Sequence, residues 1–151
     1  MSGSAISSGR QFPAHHTFHH DFLNEEIPMS TKEKDIEALR QRIYDFVIRI
    51  VNLVKQLPNT LIGNRIAGQL LDAGTSIGAN FEEACAGFSK GDFTYKLSIA
   101  KKEAFETNYW LRVIRDTQLL PPNRMEDIIQ ESTEIKKILT AAVKTAQENP
   151  E

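Results

Sequence analysis

The sequence predicts an all-α protein: an antiparallel, up-down-up-down four-helix bundle over residues 31–149, preceded by a disordered N-terminal tail at 1–30. Three observations predict it. Four stretches carry apolar residues at alternating steps of three and four, the period of one helix face. The breaks between them, at 57–60, near 89 and at 117–122, span only a few residues, which makes consecutive helices antiparallel neighbours. A chain of 151 residues, 40% hydrophobic and 25% charged, is long enough to bury one core without disulfides or metals.

Residues 1–30 are rich in Ser, Gly, His and Pro, and their apolar residues follow no period, so they read as a tail. Met29 offers an alternative start. Ser30 then reads as a helix N-cap, with Glu33 closing a capping box. The first helix carries Ile36, Leu39, Ile43, Phe46, Ile50, Leu53 and Leu57 along its seam, widened by Val47, Val51 and Val54. It ends at Leu57-Pro58-Asn59-Thr60, because Pro58 lacks an amide donor and disfavours helix before it.

The second helix, about Leu61 to Phe88, places Ile62, Ile66, Leu70, Ala73, Ile77, Phe81, Ala84 and Phe88 on one stripe. It is rich in small residues, including Gly63, Gly68, Gly74 and Gly78. A glycine inside a helix costs about 1 kcal/mol against alanine. Close approach of a neighbouring backbone is the physical reason to tolerate several, and a bend near Gly74-Thr75-Ser76 is another.

Ser89 reads as the cap of the third helix, whose seam is Phe93, Leu97, Ala100, Ala104, Thr107, Leu111 and Ile114. Tyr95, Ile99, Tyr109, Trp110 and Val113 lie off that seam. The fourth helix follows Pro121-Pro122, with Asn123 and Glu126 as a cap pair and Met125, Ile128, Ser132, Ile135, Leu139, Ala142 and Ala146 as its seam.

Composition excludes several classes. The longest apolar runs are a few residues, far short of the roughly 20 that cross a bilayer, so no membrane partner is expected. The first 30 residues hold a single basic residue, Arg10, and no apolar core of a signal peptide. Cys85 is the sole cysteine, so no internal disulfide forms, and a cytoplasmic location fits. A net charge of −2 argues against a protein that coats nucleic acid by bulk charge, leaving local basic patches open.

No catalytic constellation emerges, and the expectation is a non-enzyme with no cofactor and no metal site. Glu82, Glu83, Glu103 and Glu106 would suggest a carboxylate-bridged metal pair, but the Glu-x-x-His such bundles use ends here in Glu106. All four histidines, His15, His16, His19 and His20, lie in the tail. If helical they would pair across one turn and hold a divalent metal, but Pro13 and Thr17-Phe18 do not promise a helix. Cys85 has no histidine on the helices to generate a thiolate. Gly63 to Gly68 lacks the Lys-Ser/Thr of a phosphate loop.

More apolar surface is present than one narrow core needs. Phe81, Phe88, Phe105, Tyr109 and Trp110 read either as a wide core with scattered exposed residues or as a subunit interface in a homo-oligomer. Basic charge concentrates on alternate helices: the first and third each carry six basic against four acidic residues. Lys96, Lys101, Lys102, Arg112 and Arg115, with Arg42 and Arg49, therefore read as a stripe attractive to RNA or DNA phosphates. The competing reading is solvated helix faces laced with pairs such as Lys102–Glu106.

Two blocks resemble the 23S rRNA intervening-sequence, or S23-type, four-helix bundle proteins. The first is Leu57-Pro58, Gln69-Leu70-Leu71 and Gly74-Thr75-Ser76-Ile77-Gly78-Ala79-Asn80-Phe81-Glu82-Glu83-Ala84. The second is Ser89, Asp92-Phe93, Lys96-Leu97, Ile99-Ala100, Lys102-Glu103, Glu106 and Tyr109-Trp110-Leu111. The resemblance spans about residues 35–147 and implies a cytoplasmic homopentamer of four-helix protomers. It extends to the accessory protein of diversity-generating retroelements, a basic pentamer that binds nucleic acid and a reverse transcriptase; the net charge of −2 sets this chain apart from that branch. Two functions follow as expectations: a non-enzymatic oligomer that binds RNA or DNA through basic helix faces, or a scaffold for a protein partner with no nucleic-acid role.

Overall fold

A computed structural model describes residues 29–149; residues 1–28 of the tail, with all four histidines, and the last two residues lie outside them. Four helices follow in order: α1 (Thr31–Val54), α2 (Leu61–Ala86), α3 (Lys90–Asp116) and α4 (Glu126–Glu148). Each packs against the next in an antiparallel, up-down-up-down bundle. The α2–α3 pairing is the most extensive, and α1 closes against α4 along the thinnest seam.

Local chemistry starts three of the helices. The Ser30 hydroxyl accepts from the Glu33 amide, and the Glu33 carboxylate accepts from the Ser30 amide at 2.7 Å, the capping box expected of that spacing. Thr60 caps α2 by accepting from Gly63, and Ser89 caps α3 by accepting from Asp92. The fourth start differs from expectation. Asn123 does not cap α4; it lies in a 3-10 turn, Pro122–Arg124, that runs directly into the helix. Within that turn the amides of Arg124 and Met125 donate to the carbonyls of Pro121 and Pro122, and α4 starts without a side-chain cap.

The helix ends also shift. α1 stops at Val54, and Gln56 and Leu57 tighten into i→i−3 bonds, leaving Leu57 packed on the core from a turn. α2 stops at Ala86, where Gly87 turns extended. Phe88, expected on the α2 stripe, therefore falls in the turn and is fully exposed. Ile36 and Ile62, at the outer ends of their stripes, are also exposed.

The core is the set of seams brought together: Ile43, Phe46 and Ile50 from α1, Leu70, Ile77 and Phe81 from α2, Leu97, Leu111 and Ile114 from α3, Met125 just before α4, and Ile135 and Leu139 from α4. Glycine packing is local. A Cβ at Gly74 would come within 2.7 Å of the Ile50 side chain, so this glycine lets α1 and α2 approach. Gly68 faces open space and has no such role.

The α3–α4 interface also buries Thr107, Asn108 and Ser132. Asn108 donates to the Thr133 hydroxyl at 3.3 Å and accepts from Lys136 Nζ at 3.4 Å. A buried amide served from the facing helix fixes the relative position of the two helices, because any slip leaves it unpaired.

Candidate functional site

Of the seven basic residues singled out above, three are tied to carboxylates, two of them across helices. Arg42 of α1 binds Glu131 of α4 through both ends of its guanidinium, at 2.7 and 2.9 Å. Lys96 pairs with Glu83 of α2, and Arg115 with its neighbour Asp116. A fourth tie, Arg40 to Glu82, clamps α1 on α2. The ties move the carboxyls accordingly: hydrogen bonds from Arg42 and Arg40 hold Glu131 and Glu82 below the usual carboxylate range.

Arg49, Lys101, Lys102 and Arg112 take no part in an ion pair among the described residues. Arg49 stands apart, beside a crevice of about 210 Å³ that it shares with Asn52, Gln56 and Arg124. The other three lie on α3. Lys102 does not pair with Glu106, whose carboxylate accepts from the half-buried Trp110 indole at 3.2 Å. An indole N–H in that setting needs an acceptor, and Glu106 lies one turn away to supply it.

The five aromatic residues separate in the same way. Phe81 is only 4% exposed and packs inside its own bundle, which corrects its assignment to a subunit interface. Its position on the α2 stripe takes it to the core, not to a second face. Trp110 is half-buried against the core. Phe105 and Tyr109 stand out, 49% and 51% exposed, and Tyr95 joins them at 63%.

Helical spacing gathers these groups. Tyr95, Lys102, Phe105, Tyr109 and Arg112 follow at steps of seven, three, four and three, so they share one outer strip of α3, with half-buried Lys101 at its edge. The Tyr109 ring meets Trp110 edge-on at 4.9 Å between centroids. Lys136 of α4, held at Asn108, sits 4.5 Å from the Phe105 ring centre, a cation–π contact. Of the acidic residues of this stretch, Glu106 borders the strip, one turn from both Lys102 and Tyr109, and is held at Trp110. Glu103 lies toward Asp72 of α2, and its pKa is raised, first by burial and then by the Glu106 charge. The part played by Lys136 had no signal in the sequence, since only tertiary packing brings α4 under Phe105.

A second surface lies between α1 and α2. Arg40, Tyr44 and Val47 face Thr75, Gly78, Ala79 and Glu82 across a groove of about 190 Å³, with Tyr44 and Ile48 exposed on its α1 side. Cys85 lines a third depression beside Phe88 and Phe93, and burial raises its thiol pKa. Among the described residues, no three His, Cys, Asp or Glu side chains gather as metal ligands would, and no helix is long and apolar enough to cross a membrane.

Four antiparallel helices, the third carrying a charged and aromatic outer strip, define a four-helix bundle. The chain belongs to the 23S rRNA-intervening sequence protein family, whose model matches residues 35–141. A solved structure from Bacteroides thetaiotaomicron, a protein of unknown function from the S23 ribosomal protein family, is 40% identical. The match covers 72% of this chain and 97% of that one, with a TM-score of 0.65. No curated protein matches the chain.

Proposed function

We propose that the protein is a non-enzymatic, cytoplasmic, self-associating bundle that binds RNA or DNA on the outer face of α3. The observation that carries this reading is the set of cations outside any ion pair, Lys101, Lys102 and Arg112, interleaved with exposed aromatic rings on α3; Glu106 borders the strip, with its carboxylate bound to Trp110. Cations already committed to carboxylates gain little from a phosphate; these three make no ion pair among the described residues. A low net charge is compatible with this, because counter-ion release depends on the charges that touch phosphate rather than on the sum over the chain.

Fluorescence anisotropy with a structured RNA across a salt series tests the reading. Three phosphate contacts give a log–log salt slope of about −2 on single-stranded segments. Lys102→Ala with Arg112→Ala should remove about 1.4 of that slope. Binding that is absent at low salt, or indifferent to salt, overturns it.

Self-association fits the α1–α2 side, where Tyr44 and Ile48 are exposed beside a groove floored by Thr75, Gly78 and Ala79. The family resemblance makes five copies the expected number. The same exposed pair favours a second reading, a scaffold for a protein partner without nucleic acid. A pull-down that loses every partner after nuclease treatment counts against that alternative.

A further inference from the structure

We infer that the α3 strip is built for single-stranded rather than duplex nucleic acid; this rests on the nucleic-acid reading above and narrows its ligand. Cations alone would serve either form. The aromatic rings would not. Tyr95, Phe105 and Tyr109 are each about half or more exposed, and they are interleaved with Lys102 and Arg112 rather than segregated from them. From Tyr95 to Arg112 the strip runs about 25 Å along the helix, and Phe105 and Tyr109 stand about 6 Å apart on it.

A duplex keeps its bases stacked on each other and presents a rim of sugar and phosphate. Rings placed against that rim find no π-face and stay exposed. A single strand offers both an anionic backbone for the cations and open base faces for the rings, which is how sequence-tolerant single-strand binders work. Lys136 strengthens the pairing of functions: it holds positive charge directly at the Phe105 ring, so one point on the surface offers a cation and a stacking platform together. Trp110 backs Tyr109 edge-on, limiting how far that ring can swing inward. Base-edge reading is poorly served. The strip has no Asn or Gln side chain from Tyr95 to Arg112, and Asn108 is committed to Thr133 and Lys136 at the α3–α4 seam. The strip should therefore be tolerant of sequence.

The test uses the full chain and three labelled probes at one ionic strength: a 20-nucleotide oligothymidylate, a 20-nucleotide oligouridylate and a 20-base-pair DNA duplex. Either single strand, or both, should bind at least tenfold more tightly than the duplex. Phe105→Ala with Tyr109→Ala should cut single-strand affinity by about tenfold per ring while leaving the salt slope in place. Tyr109→Phe keeps the ring and should bind like the parent. Light scattering on the same variants separates a stacking role from a subunit contact. Three results overturn the inference: a duplex bound as tightly as the single strands, a double variant that binds as the parent does, or one whose mass falls to that of a smaller oligomer. With salt-dependent binding intact, the first two remove the single-strand preference and leave the proposed function standing. If none of the probes binds at low salt, both readings fall.

Discussion

At the residue scale, what a side chain touches decides the sign of a change. Gly68 and Gly74 sit in the same helix, yet a methyl at Gly68 meets nothing within 4 Å and one at Gly74 meets Ile50 at 2.7 Å. Gly68→Ala should therefore stabilise by up to ~1 kcal/mol through helix propensity alone. Gly74→Ala should destabilise, because crowding of about 1–3 kcal/mol exceeds that gain. Urea denaturation of the two variants checks both signs. Gln118 follows the same logic from the backbone. It holds φ at 56° just past α3, where the amides of Gln118 and Leu119 bond back to Arg115 and Ile114. That is a Schellman turn with a non-glycine residue in the left-handed position, so Gln118→Gly should stabilise by about 1 kcal/mol.

Glu131 gives the corresponding prediction for pH. Its folded pKa lies below the ordinary 4.5 because of the Arg42 hydrogen bond. A depressed folded pKa means the tie contributes fully above pH 4.5 and fades as pH falls through the folded value. Glu131→Gln should lower stability at pH 7 by ~1 kcal/mol or less, since Arg42 is partly exposed and screened. The difference from the parent should shrink in thermal melts below pH 4.5. Glu103 has the opposite sign. Burial raises its pKa, so its charged form costs stability at neutral pH, and Glu103→Gln should raise the melting temperature at pH 7 and lose that advantage in acid.

At the scale of elements, caps and seams act separately. Ser89 satisfies an amide in the first turn of α3, and Ser89→Ala should cost about 1 kcal/mol by denaturant titration. Phe88, one residue earlier, is fully exposed, and Phe88→Ser should change protomer stability by no more than about 0.5 kcal/mol. Adjacent residues thus differ because one meets orphaned amides and the other meets water. The 3–4 spacing made the α1, α3 and α4 seams legible in the sequence, and the caps Ser30 and Ser89 with them, since both depend on residues within one turn. The α4 start differs from the local signal: Asn123 has cap chemistry, but it lies inside the 3-10 turn Pro122–Arg124 and makes no cap bond to α4.

At the scale of the whole molecule, the fold sorts charge into ties and free groups. Arg40 reaches Glu82 across 42 residues and Arg42 reaches Glu131 across 89, so no window of sequence shows those pairings. Of the seven basic residues singled out in the sequence, Arg49 on α1 and Lys101, Lys102 and Arg112 on α3 stay outside those ties. Light scattering on the full chain should give a multiple of 17.1 kDa, near five under the family resemblance, and a mass near one chain overturns self-association. Should Tyr44 and Ile48 form the contact, Tyr44→Ser with Ile48→Ser should lower that mass while leaving protomer helicity unchanged in circular dichroism.

By itself the sequence determined the class: four amphipathic helices, short links, an antiparallel bundle and membership of one family. Those are consequences of local period and local caps, which act over three or four residues. Tertiary structure alone decided which residues remain for function. It took Phe81 into the core, spent Arg42 and Lys96 on carboxylates of other helices, and brought Lys136 to Phe105. Pairing and burial are set by which helices become neighbours, and no periodicity within one helix carries that information.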